Sequence, residues 1–136
     1  MIQIQVVPVQ YAAQTWPQVE PLLARAEKFN ATGDYNLAQM KMYVTTGQWT
    51  LLVAMDEQEI KGAALMSFIN YPNSRIAFVT CAAGKDIYNR EVIEQLYGIA
   101  VQMGATKLQA VGRPSIVRLL GRSGFEPVTT VMELKR

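Results

Sequence analysis

Across residues 3–9 the chain alternates, with Ile4, Val6 and Pro8 on one face and glutamines on the other, a period-two pattern that predicts a half-buried strand. The period then lengthens. Thr15 reads as an N-cap with Pro17 in the first turn, and Trp16, Val19, Leu23 and Ala26 recur at steps of three and four, which predicts an amphipathic helix. Residues 30–33 are rich in turn formers. Asn36 opens a second helical pattern in which Leu37, Met40 and Val44 share a face until Gly47 ends it.

Residues 49–55 form a continuous apolar run with β-branched and aromatic members, and a polar turn at 56–59 leads into a second run at 60–69, so the two predict a hairpin. Pro72 and Asn73 mark a further turn before a buried strand at 76–81. Val92, Leu96, Ala100 and Met103 trace a helix over 91–103 that stops at Gly104, and a short strand follows at 107–111. Pro114 starts a compact helix closed by Gly124, after which 125–134 returns as extended chain. The predicted order is β-α-α-β-β-β-α-β-α-β. The helix between the strands at Ile76 and Lys107 implies a crossover joining parallel neighbours, so the class is α/β (α+β), a mixed, mostly antiparallel sheet flanked by helices.

Length and composition narrow the chemistry. A chain of 136 residues, half of them hydrophobic and 18% charged, is sized for a single domain spanning 1–136. There is no histidine and one cysteine, Cys81, so neither a disulfide framework nor a Cys/His zinc site can be built, and no metal is expected. Thirteen basic against eleven acidic residues give a net charge of +2, too little field to attract nucleic acid or an anionic membrane. Arg113, Arg118 and Arg122 form a mild basic cluster that reads as a solvated helix face, which leaves nucleic-acid binding the weakest of three functional readings. No apolar stretch is long enough for a membrane helix and the amino terminus has no leader pattern, so a soluble, cytoplasmic protein in a reducing compartment is expected.

Two segments carry a family resemblance. Gly104-Ala105-Thr106-Lys107-Leu108 resembles the junction between the third helix and fifth strand of the GNAT N-acetyltransferases, and the run from Ser115 to Gly124-Phe125 is similar to their fourth helix with its terminal Gly-Phe. The resemblance extends over nearly the whole chain and implies the GNAT-like acyl-CoA N-acyltransferase fold. It also implies a pantetheine arm held by the splayed end of the fourth strand and a pyrophosphate resting on backbone amides at a helix start, where small residues allow close approach. On that basis the cofactor-binding candidates are Val79, Cys81, Gly84, Lys85, Asn89 and Arg90, with acetyl-CoA as cofactor. A looser alignment uses Ala82, Ala83 and Gly84 as the tight turn.

The chain departs from the family at three places. In the phosphate loop, Ile87 and Asn89 stand where glycine or alanine is expected, and Asp86 brings negative charge. The fourth-helix tyrosine that acts as acid in many members is replaced by Leu120, and an asparagine seven residues earlier by Arg113; leucine has no proton to give and arginine stays charged. The predicted fourth strand contains no carboxylate to act as base. Tyr71, Tyr88 and Tyr97 can in principle handle protons, although aromatics in such positions more often pack. Tyr88 and Cys81 are the remaining catalytic candidates, and Cys81 reads more readily as core.

The departures predict a protein that has kept the scaffold and weakened or lost acetyl transfer. The second half, with Val111-Gly112 leading into a Ser-x-x-Arg-x-Leu helix, resembles the GNAT-like proteins of tailed phages, which implies an accessory or virion-associated binding component with phage or host proteins as partners. The alternative is an active acetyl-CoA-dependent N-acetyltransferase on a small amine or a protein amino group.

Overall fold

A computed structural model of the chain describes residues 1–28 and 33–136. The elements run β1 (Ile2–Val7), α1 (Val9–Glu27), α2 (Leu37–Thr45), β2 (Thr50–Asp56), β3 (Glu59–Tyr71), β4 (Ser74–Gly84), α3 (Arg90–Gln102), β5 (Lys107–Ala110) and α4 (Pro114–Arg122). The turn formers at 30–32 lie outside the described residues. The five strands form one sheet in the order β1-β2-β3-β4-β5. The first three pairings are antiparallel and β4 pairs with β5 in parallel across the α3 crossover, as the helix between them predicts.

Two apolar layers cover the sheet. Trp16, Val19 and Leu23 of α1 and Met40 and Val44 of α2 pack on Leu51, Val53, Leu65 and Cys81. Leu96 and Ala100 of α3 pack on Leu52, Met66, Ala77 and Val79 on the other face. Neighbours such as Leu51 and Leu52 face opposite layers because side chains alternate along a strand, which is why β2 reads as an unbroken apolar run.

The first helix starts earlier than the sequence signals suggest. It begins at Val9 behind Pro8, and Pro17 and Pro21 lie inside it. Ala12, only 1% exposed, extends the buried stripe Ala12-Trp16-Val19-Leu23 by a full turn, and that packing outweighs the lost bonds at the prolines. Both prolines stand on the exposed side, where water can take the carbonyls four residues before them. The predicted α2 begins where expected: Asn36 accepts from the Gln39 amide at 3.0 Å while the Gln39 side chain accepts from the Asn36 amide at 2.9 Å, a reciprocal capping box.

The final strand expected at 125–134 is not formed. Residues 125–136 lie in no helix or strand, and Val128, Val131, Met132 and Leu134 are 76–92% exposed. The alternation of apolar residues there does not suffice, because the segment pairs with no strand of the sheet and an isolated extended segment is not a stable strand.

Candidate functional site

The site is made by a defect in β4. Leu65 is in register with Cys81 and Met66 with Val79, so Thr80 is an extra residue that no β3 residue opposes. Such a bulge bends its strand and reverses the faces to which later side chains point. Val79 accordingly packs on the α3 layer, whereas Cys81, two residues on, packs on the α1 layer. Pairing between β4 and β5 also stops here: Val79↔Ala110 is the last pair, although β4 continues to Gly84. The two strands diverge, and between them opens a cleft of about 760 Å³ floored by Thr80, Cys81, Ala82 and Ala83 and walled by Val111 and Gly112 beyond β5.

Two tyrosines hold the bent strand. The Tyr35 hydroxyl donates to the Thr80 carbonyl at 2.6 Å and the Tyr88 hydroxyl approaches the Ala82 carbonyl at 3.4 Å. Tyr35 is itself fixed by an edge-on contact with Trp49, which stacks on Tyr43 at 4.7 Å between ring centroids. Tyr88 follows Ile87, a residue 8% exposed that packs with Ala54 and Val92.

The same groups interact electrostatically. Burial pushes the Cys81 thiol up to about 11, and Glu27 adds to the shift. Burial pushes the Tyr35 phenol up to about 12, reinforced by Cys81, Asp34 and Glu27. Tyr88 is likewise raised, first by burial and then by Cys81, against a lowering by Arg113. The two catalytic candidates, Tyr88 and Cys81, thus stand within electrostatic reach of each other in one cleft. At neutral pH both keep their protons. Cys81 is therefore not a nucleophile as the structure stands, because the thiolate is the reactive form.

The cofactor-binding candidates separate into two groups. Val79, Cys81 and Gly84 line the cleft; Lys85, Asn89 and Arg90 do not. Val79 is the last residue paired with β5 and Cys81 is in register with β3, while the carbonyls turned to the tyrosine hydroxyls belong to Thr80 and Ala82. Lys85 opens on a second, smaller depression shared with Arg25 and Lys61. Asn89 caps α3, its Oδ1 accepting from the Val92 amide at 3.0 Å and its Nδ2 donating to the Asp86 carbonyl at 2.9 Å. The Arg90 guanidinium lies against Gly124, where an added Cβ would stand 3.4 Å from it.

The departures from the family pattern acquire structural reasons. Ile87 covers Gly62: a Cβ on Gly62 would come within 2.9 Å of both the Ile87 side chain and the Ala83 carbonyl. Gly84, at φ +139°, leaves no room for a Cβ, which would stand 2.5 Å from the Lys61 carbonyl. Leu120 is 9% exposed and lines the cleft, as does Arg113. Sequence reasoning passed over Tyr35, Asp34 and Arg25, which reach the cleft from the end of α1 and the segment before α2. Tyr35 and Thr80 are 45 residues apart, and no local signal reports such a contact.

The two parts of the cleft differ in how they meet the acetyl-CoA expected from the sequence resemblance. The small side chains of Ala82, Ala83 and Gly84 leave the bent edge of β4 accessible, as a slender amide-bearing chain requires. The loop beyond is less suited, since Ile87 is buried and Asn89 is engaged in capping. Among the described residues no helix is long and apolar enough to cross a membrane, and no three His, Cys, Asp or Glu side chains gather as metal ligands.

No protein-family model and no curated protein matches the chain. Solved structures do match it. A tetramutant of the BH1408 protein of Bacillus halodurans superimposes with a TM-score of 0.71 at 14% identity, covering 98% of this chain and 99% of that one. The aminoglycoside N-acetyltransferase AAC(6′)-Iy in complex with CoA gives 0.67 at 15% identity, covering 100% and 95%. An aminoglycoside acetyltransferase from an uncultured soil metagenomic sample, bound to sisomicin, gives 0.65 at 11% identity, covering 99% and 97%. At such identities the likeness is one of fold, and the chain has the fold of the GNAT acetyltransferases.

Proposed function

We propose that the protein binds an acyl-coenzyme A thioester in the cleft between β4 and β5 and transfers the acyl group to an amine. The observation that carries this reading is the divergence of the two strands at the Thr80 bulge, which leaves an apolar, small-residue cleft instead of a filled core. The acetyltransferases of the same fold, one of them in complex with CoA, support it.

When bound, the thioester supplies an activated acyl group. The chain's own residues would position it and manage two protons. Tyr35 fixes the bent strand by holding the Thr80 carbonyl. Tyr88 keeps its proton at neutral pH, as a general acid for a departing thiolate must, and Arg113 opposes the rise in its pKa and so eases release of that proton. Leu120, in the place where the family resemblance puts the acid, excludes water. Asp34 and Arg25 in the lining, with Glu27 nearby, put charges of both signs at the α1 end of the cleft, where the Asp34 carboxylate can meet a cationic amine. No base is needed from β4 if the amine loses its proton to solvent before attack, positioning then carrying most of the rate.

Calorimetric titration with acetyl-CoA tests the binding half: micromolar affinity is expected, and absence of binding at millimolar ligand would overturn it. Thiol release measured over a panel of amines tests transfer. Tyr88→Phe should lower the rate on bound substrate by about a hundredfold, a larger effect than the weakening of acetyl-CoA affinity that follows from losing the 3.4 Å contact with the Ala82 carbonyl.

A second reading rests on Leu120 and on the lack of a carboxylate in β4: a phage-type, virion-associated or accessory protein that keeps the cleft and has lost transfer. Acetyl-CoA binding without turnover on any amine, together with recovery of the protein in purified particles, would favour it.

A further inference from the structure

We propose that the amine acceptor carries an anionic group, which sits in the cationic depression of Arg25, Lys61 and Lys85 beside the cleft. The inference rests on the acyl-transfer reading and names the class of its second substrate: an amine and an acid on one molecule.

The depression has a volume of about 340 Å³ and shares Arg25, Ala83 and Gly84 with the cleft, so one ligand can lie across both. Leu22 of α1 and Ile60 of β3 give it apolar walls, along which the stems of lysine and arginine can lie with their charged heads in water. Gly84 brings two of the cations together. It is in register with Gly62, and at φ +139° it lies so close to the neighbouring strand that a Cβ would stand 2.5 Å from the Lys61 carbonyl. Lys85 therefore leaves the end of β4 beside Lys61. The third cation, Arg25, comes from the last turn of α1.

The charges there are not balanced. Among the described residues neither Arg25 nor Lys85 pairs with a carboxylate. Lys61 has Glu59 at 3.1 Å, but that side chain is 72% exposed, and so exposed a pair yields readily to a competing anion. Asp86 follows Lys85 and does not line the depression. The positive depression and the negative Asp34 of the cleft lining together match a molecule that bears both charges. Their separation sets its length. The amine must reach the thioester where β4 and β5 part, at Thr80, and the depression begins at Ala83, roughly 10 Å further along the strand. An extended chain of about eight carbons spans that gap. The phosphates of coenzyme A are the competing anion. The depression, however, opens on the α1 side of the sheet, whereas the start of α3, to which the family resemblance assigns the pyrophosphate, belongs to the opposite layer.

Two probes of equal length test the proposal at low salt, 8-aminooctanoate and its uncharged counterpart 8-aminooctan-1-ol. Titrated into the full chain without acetyl-CoA and followed by NMR, the carboxylate should shift the amides of Lys61, Gly84 and Lys85, and the alcohol should leave them in place. In transfer from acetyl-CoA the carboxylate should be preferred about tenfold in kcat/KM, and Lys61→Gln should cut that preference about fivefold. Because the Lys61 side chain is 41% exposed, the variant should keep the wild-type amide spectrum away from the depression, showing that the fold survives. Equal shifts or equal kcat/KM for the two probes overturn the proposal, as does a preference that Lys61→Gln leaves intact. So does a Lys61→Gln variant that loses affinity for acetyl-CoA but not for acetyl-pantetheine, which would assign the depression to the phosphates of the coenzyme. Carboxylate-dependent shifts without transfer to any amine would support the anion site and overturn the acyl-transfer reading instead.

Discussion

Cys81 shows how much one inserted residue upstream can decide. Without the bulge at Thr80 its side chain would share the α3 layer with Val79; with it, the thiol lies under α1 near Tyr35 and Glu27. Burial raises its pKa from 9.0 in an exposed thiol to about 11, so between those values the unfolded chain holds fewer protons than the folded one. Stability is therefore greatest below pH 9 and falls as pH rises toward 11. From pH 9 to 10 the thiol's share of the loss should be about 1 kcal/mol in urea unfolding, and the raised Tyr35 and Tyr88 add to it as unfolded phenols ionise toward pH 10. Cys81→Ala should flatten that pH segment even if it lowers stability at every pH. The wild-type thiol should also resist alkylation at pH 8. Rapid labelling of the native protein would contradict the assigned burial.

The elements were largely legible because their causes are local. Asn36 with Gln39, Gly104 after α3 and Pro114 at the start of α4 are punctuation that acts within one turn, and each boundary fell where it was read. Asn36→Ala removes one half of the capping box and should cost about 1 kcal/mol, lowering the melting midpoint by a few degrees. Because Tyr35 immediately precedes the cap, the same change should weaken acetyl-CoA binding severalfold if Tyr35 positions β4. What was not legible depends on distant partners. The earlier start of α1 follows from the burial of Ala12, which puts Pro17, read from the sequence as a first-turn residue, inside the helix on its exposed side. The bulge that makes the cleft leaves no mark in an apolar strand, since Val79, Thr80 and Cys81 read alike whichever of them is unpaired. Cleft residues on or beside β4 could be named from the family resemblance. Those contributed by the α1 end, Asp34 and Tyr35, could not.

At the scale of the whole molecule the two margins of the sheet are treated differently. β1 is an edge strand in the strand order, yet the Gln95 side chain of α3 accepts from the Ile4 amide at 2.8 Å and donates to the Ile2 carbonyl at 2.8 Å. Its carboxamide occupies the place that a neighbouring peptide group would take. Gln95→Ala should cost about 1–2 kcal/mol by leaving both groups to solvent, and light scattering should detect larger species in the variant than in the wild type. A sheet that can be extended at only one margin behaves like a chain-terminating monomer in polymer chemistry. It can be joined once and offers nothing further to join, so the one carboxamide on α3 sets an upper limit on how far strands of this protein can stack.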